Sequence, residues 1–374
     1  MKSLFPIILT MLFTVAFAEE DLEVSADTVQ SVLELPPSPD NPRNSEGDFI
    51  QLHDGRILFV YTRFTGGSSD HAAAYLASRY SDDGGRSWSD KDEQVIPNEG
   101  GMNVMSVSLL RLQNDAIALF YLRKNAKDDC RPLLRISRDE AATWSAPVEC
   151  IPEPVGYYVV NNDRIIQTTS GRLIIPAALH ALKGETFSSR GRVVCYLSDD
   201  NGATWKASET MLEAPESIKT GFQEPGVVQL PGGKLLMLLR NSSGVFYRSS
   251  SEDNGLTWSE ATPTDLKTPV SPASFELLPD SATLLLVWND HADIAASLKG
   301  KRTPLVLALS KDNGNSWPVR YTLEDNPQGW YCYTAIAFTE SHLLLGYCAG
   351  DTATMPGLSL TRITRISIDF LKDL

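Results

Sequence analysis

Five copies of one eight-residue pattern constrain this chain more than any other feature. They occupy residues 81–88, 137–144, 198–205, 251–258 and 310–317, and read SxDxGx(S/T)W with a single lapse, Ala141 in place of the glycine. Their tryptophans stand 53 to 61 residues apart. The pattern describes a hairpin turn in which the Asp accepts backbone N–H groups, the Gly supplies a positive φ and the Trp folds back over the turn. Repetition at this period means one supersecondary unit copied along the chain. The second copy, lacking its glycine, is expected to be distorted.

A second repeat is interleaved with the first. Six times a polar turn leads into an apolar run, as in DGRILFVYTRF from Asp54, SGRLIIPAALH from Ser170, GGKLLMLLRNS from Gly232 and ESHLLLGYCAG from Glu340, and each is preceded by another β-rich run such as GDFIQL or GVVQL. Six units of about four short strands, without a convincing amphipathic helix, predict an all-β fold, a six-bladed β-propeller. Two packed β-sandwiches are the alternative, disfavoured because the repeats show no break between halves. The last unit lacks the turn motif, so its final strands are expected to close the ring with the segment that follows residue 18, hiding both edges.

Ligands of such a ring bind where the loops converge on one face. Counting nine residues back from each polar turn gives Glu46, Ser106, Asn162, Glu224, Pro272 and Cys332, the last beside Tyr333. The following strands end at Arg63, Arg123, His180, Arg240 and the Asn289–Asp290 pair. Bringing these charges together is costly unless each finds a partner. Single pairs such as Arg63 with Glu46 or Arg240 with Glu224 serve equally as struts between blades, but recurrence of polar residues at equivalent places points to a binding site.

The formal charge of −14 excludes the basic stripe that nucleic-acid binding requires. Five cysteines, at 130, 150, 195, 332 and 348, show no zinc-ligand spacing. Cys130 and Cys150 flank one hairpin and either pair or stay as buried thiols. Residues 1–18 combine a lysine, an apolar run and a small-x-small ending, the layout of a secretory signal peptide. Cleavage after Ala18 would leave one domain over residues 19–374, secreted or periplasmic, with no membrane span remaining.

The five motifs match the Asp box, and with the inner-strand residues they make nearly the whole mature chain resemble the exo-sialidases of bacteria and related Asp-box (BNR) repeat proteins. The resemblance implies removal of a terminal α-linked sialic acid or a related acidic sugar from a glycan by a tyrosine nucleophile, with neither metal nor organic cofactor. QEPGVVQL followed by LLMLLRN places Glu224 as the base that activates the nucleophile and Arg240 as a carboxylate-gripping arginine. KRTPLVLALS offers Arg302 as a second such arginine, and WYCYTAIAF offers Tyr333 as the nucleophile, with Tyr331 its neighbour. YTRFTGGSSDHAAAY gives Arg63 as a secondary arginine and Asp70 as acid/base on a glycine-rich, lid-like loop beside His71.

The sequence also departs from that family. Where the family opens its first inner strand with Arg-Ile-Pro, this chain has Asn44-Ser45-Glu46-Gly47-Asp48. Arg43 or Arg164 is then the substitute for the missing arginine, and Glu46 a group that accepts sugar hydroxyls or holds Arg63. Asn103, Asn161, Asn162 and His180 add neutral hydrogen-bonding groups. Two other functions stay open: a lyase or hydrolase acting on uronic-acid polysaccharide, in which His180 gains weight, and a glycan-binding propeller without catalysis.

Overall fold

The computed structural model describes residues 28–374, so the expected signal peptide at 1–18 lies outside the described residues. The regular structure of the described residues is almost entirely strand. Among the described residues its helices are one short turn at Ala296–Leu298 and one short α-helix at Ile368–Asp373.

In three of the four-stranded sheets the strands follow one another antiparallel in chain order. The first sheet runs Arg43–Gln51, Ile57–Phe64, Ala74–Ser81, Glu93–Ile96. Its second strand is buried along nearly its whole length, as a strand with a sheet on either side must be, whereas the outer strand Lys206–Leu212 is mostly exposed. Three further four-stranded sheets begin at Gln223–Gln229, Ser274–Leu277 and Gly329–Phe338. Between the first sheet and these lies a nine-stranded sheet spanning Asn103–Arg111 to Lys206–Leu212. Its two halves are joined by one parallel pairing, Tyr157 with Cys130.

Consecutive sheets pack face to face. Val60 and Leu76 of the first sheet meet Val107, Leu119 and Leu133 of the next, and Leu285 and Leu307 meet Leu343, Leu345 and Ile366 at the far end of the chain. Each such side chain contributes roughly 1.5–3 kcal/mol through burial. Arg43–Gln51 touches Asn103–Arg111, Leu173–Leu182 touches Gln223–Gln229, the inner strands Gln223–Gln229, Ser274–Leu277 and Gly329–Phe338 touch in turn, and Gly329–Phe338 returns to Arg43–Gln51, so the arrangement is radial. The expected closure is present: Val29–Leu35 pairs antiparallel with Thr361–Ser367 as the outermost strand of the last sheet.

The Asp-box turns repeat one set of bonds. In the third copy Ser198 Oγ donates to Asp200 Oδ1 at 2.8 Å, and the carboxylate also accepts from the Thr204 backbone N–H and hydroxyl. The glycine has a second reason besides its φ of 88°: a Cβ on Gly202 would stand 2.1 Å from Leu134 of the preceding unit. The second copy is not distorted as expected. Ala141 adopts φ 63° and keeps its bond to Ser137 Oγ, while neighbouring Glu140 is held by both Nη atoms of Arg111. All five cysteines are buried free thiols, so Cys130 and Cys150 do not pair.

Candidate functional site

At the strand ends opposite the Asp boxes, the inner strands share a backbone device that their sequences conceal. Pairing with the next strand slips between Ser45 and Asp48, Met105 and Ser108, Gln223 and Gly226, and Cys332 and Ala335. Each slip is a bulge with a left-handed residue, namely Glu46, Ser106, Glu224 and Tyr333 at φ 42–60°, and Asp163 takes the same conformation at 54° in the third repeat. For residues with a Cβ this costs about 1 kcal/mol or more apiece. The bulge re-aims a side chain that regular pleating would bury in a sheet face. Tyr331, on the regular part of its strand, packs inside its sheet against Tyr347, whereas Tyr333 lines a cup at the centre.

The cup has a volume of about 350 Å³, within the range of small-molecule sites. On one side Glu224 Oε1 accepts from the Tyr333 hydroxyl at 3.3 Å while Oε2 is paired with Arg240. Arg302 lies over the faces of Tyr333 and Trp330, 5.2 and 5.4 Å from the ring centres. Burial pushes the Glu224 carboxyl up, but Arg240 and Arg302 outweigh it and hold the group below its usual range, as a carboxylate. Burial and the Glu224 charge raise the Tyr333 phenol, which stays neutral. Arg240 Nε, Arg302 Nη1 and Asn161 Nδ2 are buried donors without a hydrogen-bond partner. Two guanidinium groups thus face one carboxylate, a local excess of positive charge in an acidic molecule.

Across the cup the charges are matched. Arg43 bonds Asp70 Oδ1 at 2.5 Å, Glu46 Oε1 at 2.9 Å and Ser45 Oγ at 2.9 Å, and Ser106 Oγ donates to Glu46 Oε2 at 2.7 Å. Asp70 sits at the lip with its side chain 59% exposed. Partial desolvation raises its carboxyl, and the Arg43 charge and hydrogen bond reverse that to leave it below the ordinary value. The glycine-rich loop is bonded from beneath. Asn103 Nδ2 donates to the carbonyls of Asp70 and Ala72, Lys124 Nζ to that of Asp70, and Arg43 to that of Ser68.

The structure brings together Tyr333, Glu224, Arg240, Arg302, Asp70, Glu46 and His180 as cup-lining residues. It does not do so for Arg63, Arg164, Asn162 and Asn103. Arg63 points outward to Asp92 and Tyr75, so Glu46 does not hold it. Arg164 reaches Ser274 Oγ and the Ala273 carbonyl, and Asn162 ties the Gly47 carbonyl to that of Tyr333 at the axis. Asn103 serves the Asp70 loop. Neither Arg43 nor Arg164 lines the cup in place of the missing arginine.

Lys124, Tyr157, Phe187 and Trp330 line the cup and were not foreseen. Lys124 is the neighbour of Arg123, which turns away to Glu149. A one-residue change of register exchanges the two faces of a strand, and the bulges that set this register leave no compositional mark. Beneath the cup Asp48, Asp163 and Glu276 gather near the axis. Burial raises all three, Asp163 to about 7, and backbone N–H groups of Leu109 and Ile336 bind the first two. Among the described residues no group of three or more His, Cys, Asp and Glu side chains is disposed to hold a metal ion, and no helix is long and apolar enough to cross a membrane.

Comparison with known proteins agrees with this architecture. Residues 91–345 match the family described as BNR repeat-like domain. An anhydrosialidase from Macrobdella decora is 26% identical over 224 residues, covering 54% of this chain and 27% of that protein. A sialidase from Micromonospora viridifaciens is 28% identical over 155 residues, covering 39% of this chain and 22% of that protein. The aligned part therefore spans about a quarter of either relative. The structure of the NanB sialidase from Streptococcus pneumoniae superposes with a TM-score of 0.70 at 15% identity, covering 96% of this chain and 73% of that one, a likeness of fold.

Proposed function

The chain belongs to the BNR repeat-like domain family, and we propose that it is an exo-glycosidase of the sialidase type, releasing a terminal α-linked sialic acid or related acidic sugar from a glycan. In this reading residues 19–374 form one six-bladed propeller, the nine-stranded sheet counting as two blades, and residues 1–18 direct export to the periplasm or outside. One observation carries the functional reading: two buried arginines, Arg240 and Arg302, outnumber the carboxylate beside them and adjoin a hydrogen-bonded Tyr333–Glu224 pair. Two guanidinium groups lining the cup beside a single carboxylate suit a carboxylate ligand, which such groups grip through charge-assisted bonds.

The chemistry uses ionised Glu224 and neutral Tyr333, and calls on the acid form of Asp70, which Arg43 disfavours. Tyr333 oxygen attacks the anomeric carbon and passes its proton to ionised Glu224, while Asp70, in its protonated form, gives a proton to the glycosidic oxygen as that bond breaks. Asp70, now a carboxylate, then takes a proton from water. The hydroxide displaces Tyr333 from the sugar, and Glu224 returns the proton to the tyrosine oxygen. A neutral phenol approaches an anionic sugar without the repulsion a carboxylate nucleophile would meet.

The test is fluorophore release from an aryl α-sialoside by the mature protein and its Tyr333→Phe variant, with the product identified by NMR. Turnover that falls at least about a thousandfold in the variant, with unchanged melting temperature, supports the reading. A folded parent without turnover rejects it, leaving uronic-acid glycans and glycan binding without catalysis as the readings to test.

A further inference from the structure

The five buried cysteines fall into two groups. Cys130 and Cys150 pack inside one hydrophobic cluster and Cys195 inside another, where a thiol serves as a small apolar side chain. Cys332 and Cys348 belong to none of the clusters, although they are only 2% and 1% exposed. They are register partners on the strands Gly329–Phe338 and His342–Asp351. Their neighbours Tyr331, Tyr347 and Ala349 pack in the core on one side of this sheet, so alternation turns both thiols to the other side. That side carries charge: Arg302 acts on Cys332, and Arg43 and Glu46 act on Cys348.

Register partners in an antiparallel pair have Cα atoms about 4.5 or 5.5 Å apart, and both values fall within the roughly 4.4–6.8 Å that a disulfide spans. Cys130 stands opposite Lys124 and Cys195 opposite Pro176, so neither shares this geometry. The two thiols already interact, Cys348 donating toward the Cys332 sulfur. Burial raises the Cys332 thiol, but that donor and the Arg302 charge outweigh it and hold the group below its ordinary value. Of the two, Cys332 ionises more readily and is the attacking sulfur.

From this geometry we infer that Cys332 and Cys348 are an oxidation site that closes to a disulfide across the hairpin carrying Tyr333. The oxidant is a small-molecule disulfide. Cys332 thiolate attacks one of its sulfurs and expels the first thiolate, leaving a mixed disulfide. Cys348 gives its proton to the expelled thiolate and attacks the Cys332 sulfur, releasing the second thiolate. Two protein thiols are oxidised, and the small disulfide is reduced to two thiols. The new bond ties the strand immediately before the bulge at Tyr333 to its partner. None of this depends on the glycosidase reading.

Residues 321–362 form one tryptic peptide that holds both cysteines, with Glu340 between them. The mature protein is incubated with oxidised glutathione, natively and during refolding from urea, then denatured, alkylated and digested. In at least one condition the peptide is expected to take no label and to weigh two hydrogens less than its thiol form. The parts on either side of Glu340 should stay joined after cleavage there until a reductant is added, while Cys130, Cys150 and Cys195 are labelled. Label on Cys332 and Cys348 under both conditions overturns the inference. The linked protein is also expected to melt about 5 °C above the reduced one, a difference absent from Cys348→Ala. A linked protein that melts no higher than the reduced one overturns the claim that the bond secures the hairpin.

Discussion

The two ends of the strands use repetition in opposite ways. At the Asp-box end the same side chains recur and make the same bonds: Ser251 and Thr257 close on Asp253 as Ser198 and Thr204 close on Asp200. At the cup end the left-handed backbone position recurs, but its side chain is Glu, Ser, Asp or Tyr: Glu46, Ser106, Asp163, Glu224, Tyr333. The Ser–Asp–Ser/Thr bonds of the first end close within each turn, and the unmatched buried atoms there are Trp88 Nε1 and Asn254 Oδ1. At the second, buried donors of Arg240, Arg302 and Asn161 remain unmatched. A ring can hold its shape with identical turns, but it has one centre, so the units contribute unlike groups there.

Variants at each end test whether this division holds. The largest effect is expected from Glu224→Gln, which removes the proton acceptor of Tyr333 while keeping its size. Turnover of an aryl sialoside should drop about a thousandfold with little change in melting temperature. A variant that instead melts far earlier would make Glu224 a strut rather than a reacting group.

Asp253→Ala should do the reverse. Loss of its three bonds is expected to cost about 2 kcal/mol and lower the melting temperature by roughly 4 °C, with KM and kcat at room temperature unchanged. A fall in kcat would show that the two ends are coupled.

Arg43→Gln sharpens the contrast within the cup. Arg43 favours the Asp70 carboxylate, so removing its charge raises the pKa, and more of the acid form survives at a given pH. The alkaline limb of kcat/KM should therefore move to higher pH; a shift to lower pH would contradict the assignment of Asp70 as acid. The smallest effect is expected from Ala141→Gly. Relief of the left-handed alanine gives about 1 kcal/mol, offset in part by a looser unfolded chain, for a net rise in melting temperature of about 1–2 °C by calorimetry.

The same asymmetry governs what could be read from the sequence. The box end was legible because identical side chains at fixed spacing leave a written pattern, and the closure by Val29–Leu35 followed from the missing sixth box. At the cup end, counting back from the turns found Glu46, Ser106 and Glu224 but fell one residue short of Asp163 and Tyr333, naming Asn162 and Cys332. The resemblance to sialidases supplied Tyr333 where counting did not. Arg63 and Arg123 were singled out by their place at strand ends and lie on the outward face, while Lys124 faces in. Bulges decide such parity, and any residue able to tolerate a positive φ can occupy them. Phe187 had no repeat to reveal it, since its loop occurs once.

The pairing that completes the last sheet also sets an order of events. Val29 is among the first described residues made and Ile366 among the last, yet the two are register partners. Until the final strand exists the N-terminal strand has no place in the ring, and the earlier sheets must assemble with one seam open. Joining it closes a loop of more than three hundred residues, an entropic cost that grows only logarithmically with length but makes the step intrinsically slow. Closure of the ring is therefore the natural last act of folding, and the seam beside Arg43 and Tyr333 is where an unfinished molecule would lack its site.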